Sequence, residues 1–264
     1  MKKTSDDCAP GEKAAVPPES SRTARSCVPV PKIEEDCYDW WARHEEKCRT
    51  ACSFRAEVVF LGDSLTHFWS GESGPDYGEG LWNELYGDLP VLNLGFGFDR
   101  TQNVLWRMAH GELEKQSPSL FVVNIGTNQF SITPAYSGDT PEEAARGIVC
   151  VAEELHRRAP DALVLLMALF PRGNKVSEIR ETNRILRAAL PAMPFAEWVD
   201  LGGIFGDENG CPREWFYQAD LCHLKRAGYQ VWGNAIAPWI ARSVSRKSGI
   251  GKEGDGWRSF SAGV

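Results

Sequence analysis

What the chain lacks narrows it first. No apolar run approaches the ~20 residues needed to span a bilayer as a helix. The start, Met1-Lys2-Lys3-Thr4-Ser5-Asp6-Asp7, has no apolar stretch after its lysines, so no cleaved secretory signal is visible and a cytoplasmic location is the expectation. Positive charge is not in excess. A formal net charge of −7 argues against a general nucleic-acid binder, which presents a basic surface. Internal repeats and interior low-complexity stretches are absent. The eight cysteines include no paired C-x-x-C or C-x-x-H spacing, so no zinc site is expected. The chain is also too large for a disulfide-stapled miniature. Cys150 lies in an apolar helical pattern and reads as a small core residue. Free thiols are the expectation for the cysteines, with one N-terminal disulfide left open.

What is present organises into one large domain. Residues 1–32 are rich in Pro, Ser, Lys and Glu and read as a disordered or loosely attached arm. Residues 33–245 form the domain, and residues 246–264, glycine-rich and polar, a flexible tail. Residues 36–53 are helical in pattern. Continuous apolar runs then mark five strands, at 58–61, 91–94, 120–125, 162–169 and 195–201. Helical patterns fall between them, at 81–86, 100–110, 141–159 and 176–190, and a last helix covers 224–244 with Pro238 as a kink candidate. Gly71–Gly80 reads as a glycine-rich loop. This alternation predicts an α/β fold, a mostly parallel sheet with helices on both faces.

In such a sheet the carboxyl ends of the strands share one rim. Four polar segments fall there. Gly62-Asp63-Ser64-Leu65 follows strand one, and Gly95-Phe96-Gly97-Phe98-Asp99 follows strand two. Gly126-Thr127-Asn128 follows strand three, and Asp220-Leu221-Cys222-His223 precedes the last helix. Their chemistry is complementary. A serine hydroxyl needs a base, which His223 can supply, and Asp220 can orient that imidazole. An oxyanion needs donors, and the candidates are the Ser64 N–H, a backbone N–H at Gly97 or Phe98, and the Asn128 amide. Each segment alone also has a structural reading as a turn, loop tie or helix cap.

Together these residues resemble the SGNH (GDSL-type) hydrolases, most like the catalytic subunits of platelet-activating-factor acetylhydrolase and their bacterial relatives. The shared stretches run from Val59-Phe60-Leu61-Gly62-Asp63-Ser64-Leu65 through Asn93-Leu94-Gly95-Phe96-Gly97, Val104-Leu105-Trp106-Arg107 and Gly126-Thr127-Asn128. They continue with Leu169-Phe170-Pro171-Arg172-Gly173 and end at Asp220-Leu221-Cys222-His223-Leu224. The resemblance implies a flavodoxin-like three-layer α/β/α sandwich with a five-stranded sheet. It also implies Ser64 as nucleophile, His223 as base, Asp220 as its orienter, Asn128 in the oxyanion hole, and no metal or organic cofactor. The chain departs from that pattern at Phe98, where a glycine is usual, and at Gln129, where Asn or Asp is common.

The expected activity is removal of a short acyl group, acetyl foremost, from a glycan or lipid-like ester. A lysophospholipase or thioesterase on the same triad is the alternative in kind, and a non-catalytic binding protein on a hydrolase scaffold the alternative in class. A homodimer is left open. Asp63, Phe96, Gln129 and Arg172 are the candidate substrate-binding residues. His44, His110 and His156 read as surface residues. His67 is expected to sit on the helix after Ser64 and point away from the site. Trp106 is expected to pack its helix on the sheet. Phe68, Trp69 and Phe130 are either cleft mouth or core.

Overall fold

The computed structural model describes residues 24–71, 77–78 and 80–247. The first part of the expected arm, most of the Gly71–Gly80 loop, Cys8 and the tail from residue 248 lie outside the described residues. Five strands form one parallel sheet: β1 (Val58–Gly62), β2 (Val91–Gly95), β3 (Leu120–Asn124), β4 (Leu163–Met167) and β5 (Ala196–Val199). Their order is β2-β1-β3-β4-β5, the flavodoxin-like order. The register pairs Val58 with both Val91 and Leu120.

The helices are α1 (Trp40–Ser53), α2 (Ser64–Ser70), α3 (Leu81–Tyr86), α4 (Thr101–Ala109), α5 (Pro141–Arg158), α6 (Val176–Ala189), α7 (Gly202–Phe205) and α8 (Arg226–Lys247). Helix α5 starts where its sequence says it must. Thr140 Oγ1 accepts from Glu143 N, and Glu143 Oε2 accepts from Thr140 N, with Pro141 at the first helical position. Such a cap is worth about 1 kcal/mol. Helix α8 runs continuously past Pro238, where the sequence suggests a kink.

The pleat of β1 splits the core in two. Val59 and Leu61 pack with α4, α5 and α6 on one face of the sheet. Val58 and Phe60 pack on the other with Trp69, Trp82, Tyr229 and Trp232. All of β1 and β3 is buried, which explains why their runs show no polar alternation. Burying each such side chain contributes about 1.5–3 kcal/mol. The chain leaves β1 toward β2 and then crosses to β3 on the other side. That reversal opens a crevice at the carboxyl ends of β1 and β3, where ligands bind in sheets of this kind.

Four expectations change here. Residues 24–32 are not loose: Ser26 and Lys32 are buried, and Cys27 is joined to Cys150 by a disulfide. Cys150 is therefore a bridge rather than a plain core residue, while Cys37, Cys48, Cys52, Cys211 and Cys222 are free thiols. His44 is buried too: Glu45 and Glu46 turn outward, but Arg43 is buried beside it, and the His44 ring stacks on Trp40 and meets Glu112 Oε1 at 3.0 Å. His110 is exposed, and half-buried His156 stacks on Phe195. Trp106 does not face the sheet. It stacks on His110 and packs against Trp40 and Trp41, joining α4 to α1.

Candidate active site

Ser64 is the first residue of α2, set at the end of β1 by the turn at Asp63. The Asp63 carboxylate caps the helix by accepting from Leu65 N at 3.0 Å. Helix α2 passes so close over β2 that a Cβ on Gly95 would lie 2.2 Å from His67 N. Glycine at 95 is therefore a condition of the turn that presents Ser64. Asp63 is wholly buried, and its Oδ2 has no hydrogen-bond partner among the described residues. Burial pushes its carboxyl up to about 7, against the opposing pull of the Leu65 N–H and the Arg172 charge.

His223 Nε2 lies 2.9 Å from Ser64 Oγ, and His223 Nδ1 lies 2.6 Å from Asp220 Oδ2. The second Asp220 oxygen accepts from Cys222 N and His223 N at 2.9 and 3.0 Å. One carboxylate thus folds the loop and orients the ring. Partial burial by itself would raise the Asp220 pKa. The hydrogen bonds from the His223 ring and from the two backbone N–H groups outweigh it, and the net shift is downward. With Nδ1–H given to Asp220, Nε2 is the acceptor for the serine proton. Leu221, between them, has φ +51°, a left-handed conformation costing about 1–2 kcal/mol. The loop carries that strain in the turn that brings Asp220 and His223 together.

The third component is the turn after β2. Phe98 has φ +60°, the conformation a glycine would take without cost. The Gly97 N–H donates to His67 Nδ1 at 3.1 Å. It is therefore engaged, which removes Gly97 from the candidate oxyanion donors. The Phe98 and Ser64 N–H groups make no hydrogen bond among the described residues. Asn128, in the 3-10 turn Thr127–Phe130, donates one amide hydrogen to Asp99 O at 3.1 Å and keeps a second. Three donors, from the ends of β1, β2 and β3, thus line one cleft.

That cleft has a volume of about 440 Å³. Ser64, His223, Asp220, Asn128, Gly97, Phe98 and Arg172 line it, together with Phe68, Leu221 and Asp36. Arg172 is the one candidate substrate-binding residue that reaches it. Its Nη1 donates to Thr127 O at 3.0 Å and to Ser131 Oγ at 3.3 Å, and it has no carboxylate partner among the described residues. The other three do not reach the cleft. Asp63 is the buried helix cap. Phe96 lies fully buried beneath the Arg43 and Arg107 guanidinium groups, 5.0 and 3.8 Å from its ring centre. Gln129 is a buried tie that accepts from Thr101 N and donates to Tyr136 Oη and Asp139. Phe68 lines the cleft with its ring 5.1 Å from that of His223, whereas Trp69 and Phe130 are core.

A buried ionic chain braces the turn from below. Asp99 accepts from Trp40 Nε1 and Arg107 Nε, both at 2.7 Å, and Arg107 also donates to Glu112, which meets His44. Burial raises the Asp99 pKa to about 6, and Arg107 and Trp40 keep it from rising further, so Asp99 is ionised at neutral pH. Sequence reasoning missed His67 as a brace. Its position three residues after Ser64 was visible, but its direction depended on how closely α2 crosses β2. Lys32 and Tyr38, which both reach Gly97 O, carry no local signal at all.

No helix among the described residues is long and apolar enough to cross a membrane. The profile of the family described as GDSL-like Lipase/Acylhydrolase matches residues 60–231. Among curated proteins, the human platelet-activating factor acetylhydrolase IB subunit alpha1 is 32% identical over 228 residues, covering 85% of this chain and 92% of that one. The rat subunit alpha2 is 30% identical over 209 residues, covering 76% and 84%. Among solved structures, a GDSL-like lipase from Bacteroides thetaiotaomicron has a TM-score of 0.62 at 19% identity, covering 77% of this chain and 99% of that one. An acetyl xylan esterase has a TM-score of 0.54 at 20% identity, covering 71% and 99%. The two structures speak to the fold.

Proposed function

The chain belongs to the GDSL-like lipase/acylhydrolase family and is an ester hydrolase, and from that premise we propose that it removes a short acyl group, acetyl foremost, from a glycan or lipid-like ester by a two-step serine route. One observation carries this reading: the hydrogen-bonded chain from Ser64 Oγ to His223 Nε2, and from His223 Nδ1 to Asp220 Oδ2, opens on a cleft with three unspent donors.

His223 Nε2 takes the Ser64 proton as Oγ attacks the ester carbonyl. The carbonyl oxygen becomes an oxyanion held by the Ser64 N–H, the Phe98 N–H and the Asn128 amide. His223 then gives its proton to the leaving alcohol and the acyl-enzyme remains. Water enters, gives a proton to the same nitrogen and attacks the acyl carbon; the bond from that carbon to Ser64 Oγ then breaks, His223 returns the proton to Oγ, and the acid leaves. Asp220 holds the ring and stabilises its charged form throughout. Each oxyanion donor is worth about 100- to 1,000-fold in rate.

The preference for a short acyl group is supported by the Phe98 side chain on the cleft wall, where the usual glycine would leave room. The names of the two relatives, both acetylhydrolase subunits, point the same way. Arg172 is the group that would meet a polar or anionic part of the alcohol. A fluorophosphonate probe should label the protein and fail to label Ser64→Ala. A panel of acetylated sugars and esters of rising chain length should show a steep fall beyond acetyl. A flat or rising profile would favour the lysophospholipase or thioesterase reading, and equal labelling of both proteins would end the serine route.

A further inference from the structure

The turn that presents the Phe98 N–H is held by its carbonyl as well as its amide. Gly97 O accepts from Lys32 Nζ and from Tyr38 Oη, both at 3.1 Å. The contact is close: a Cβ on Gly97 would meet the Tyr38 ring at 2.9 Å and Asp36 Oδ2 at 3.3 Å. Lys32 is a buried cation whose other partner is Asp36. The same stretch of chain reaches the second donor. Glu34 pairs with Arg100, and Arg100 Nε donates to Asn128 O at 3.1 Å. Residues 32–38 therefore grip the backbone beside Phe98 directly and that of Asn128 through one guanidinium.

What holds those residues in place is not a core. Val28, Val30 and Ile33 are 43%, 41% and 74% exposed. The segment has only a three-residue 3-10 turn, Arg25–Cys27, and joins no strand of the sheet. It is tied down by polar contacts and one covalent bond. Val30 N donates to Gln102 O, Thr101 Oγ1 donates to Ser26 O, and Cys27 is bonded to Cys150 on α5, 123 residues away. It lies tight on that helix: a Cβ on Gly147 would meet Ser26 Cβ at 2.8 Å. With so little apolar area to bury, the segment depends on the cross-link to keep its polar contacts at high local concentration.

We infer that residues 24–38 form a strap that positions the oxyanion donors, that Lys32 is its positioning residue, and that the Cys27–Cys150 disulfide keeps the strap closed, so that reducing it slows hydrolysis. This rests on the reading of the Phe98 N–H and Asn128 as oxyanion donors. Both sulfurs belong to half-buried residues, within reach of a small dithiol. One thiolate of the dithiol attacks a disulfide sulfur and forms a mixed disulfide. The second thiolate then displaces the protein sulfur. Two electrons and two protons pass to Cys27 and Cys150 as thiols, and the reductant leaves as its cyclic disulfide.

The test is ester hydrolysis by the full chain before and after dithiothreitol, without denaturant, and again after reoxidation. Reduction should lower kcat about 10- to 100-fold, less than the roughly 100- to 1,000-fold for losing a donor outright because the donors are displaced rather than removed, and leave KM within about threefold. Reoxidation should restore kcat. Cys27→Ser should start at the reduced level and ignore dithiothreitol, which separates the strap from the free thiols, Cys222 in the cleft included. Lys32→Met with the disulfide intact should lower kcat in the same way, and Lys32→Arg should recover most of it. A reduced protein and a Cys27→Ser variant that match the oxidised enzyme in kcat, and differ only in thermal midpoint, would overturn the proposal and leave the bridge a structural staple. Fluorophosphonate labelling of the oxidised protein reads the serine mechanism separately, so failure there is distinct from failure of the strap.

Discussion

Replacing Asp63 by Asn isolates a buried carboxyl one residue before the Ser64 hydroxyl. The asparagine oxygen can still cap α2 at Leu65 N, but the side chain cannot ionise. In the folded protein burial raises the Asp63 pKa from 3.8 to about 7. The folded state therefore prefers the protonated acid. The resulting stabilisation is full below the unfolded pKa and is lost as pH rises through about 7. A tenfold difference in proton affinity between the two states corresponds to about 1.4 kcal/mol. Weighing the two titrations gives a loss of about 3 kcal/mol between pH 5 and pH 9. The group is completely enclosed, so solvent screening takes little from that figure. Urea unfolding of the wild type and Asp63→Asn at pH 5, 7 and 9 reads it directly. The wild type should lose about 3 kcal/mol more than the variant across that range. Parallel pH dependences would refute the reasoning, and a reversed sign would mean that Asp63 is ionised and paired in the folded state.

Three further outcomes are specific. Asp220→Asn should cut kcat about 1,000-fold or more at pH 7, with KM little changed, because the imidazole loses its orienting acceptor. Steady-state kinetics on one acetyl ester checks this. Phe98→Gly removes a left-handed residue costing about 1–2 kcal/mol, but also the ring lying 5.6 and 5.2 Å from the Lys32 and Arg100 cations. Contacts of that kind are worth about 0.5–1 kcal/mol each, so stability should stay within about 1 kcal/mol while the rate on butyryl or longer esters rises relative to acetyl. Arg107→Met leaves the Asp99 and Glu112 carboxylates buried without their cation and should cost about 3–5 kcal/mol in urea unfolding at pH 7.

The strands were legible because β1 and β3 are buried on both faces and so read as unbroken apolar runs. Helix α5 was legible because its cap is written in four consecutive residues, Thr140 to Glu143. Ser64, Asp220, His223 and Asn128 could be named because strand order fixes which loops share a rim. Phe96, Gln129 and Asp63 could not be told from cleft residues, since each is adjacent in sequence to a residue that does line the cleft. Which way each turns is set by packing: Arg43 and Arg107 cover Phe96, and Asp139 claims Gln129. His44 misled for the converse reason: its charged neighbours suggested a solvated face, but Arg43 is buried with it, donating to Gly95 O, and His44 itself meets buried Glu112.

The sequence by itself determined the alternation of strands and helices, the serine at the end of β1, and the residue types of the site, because these follow from local pattern and parallel-sheet geometry. Only the tertiary structure decided which N–H after β2 remains free. His67, from another element, takes the Gly97 amide and leaves that of Phe98. It alone paired Cys27 with Cys150 and laid residues 24–38 against the turn after β2. Those choices depend on contacts between segments tens to more than a hundred residues apart, which no local pattern in the chain encodes.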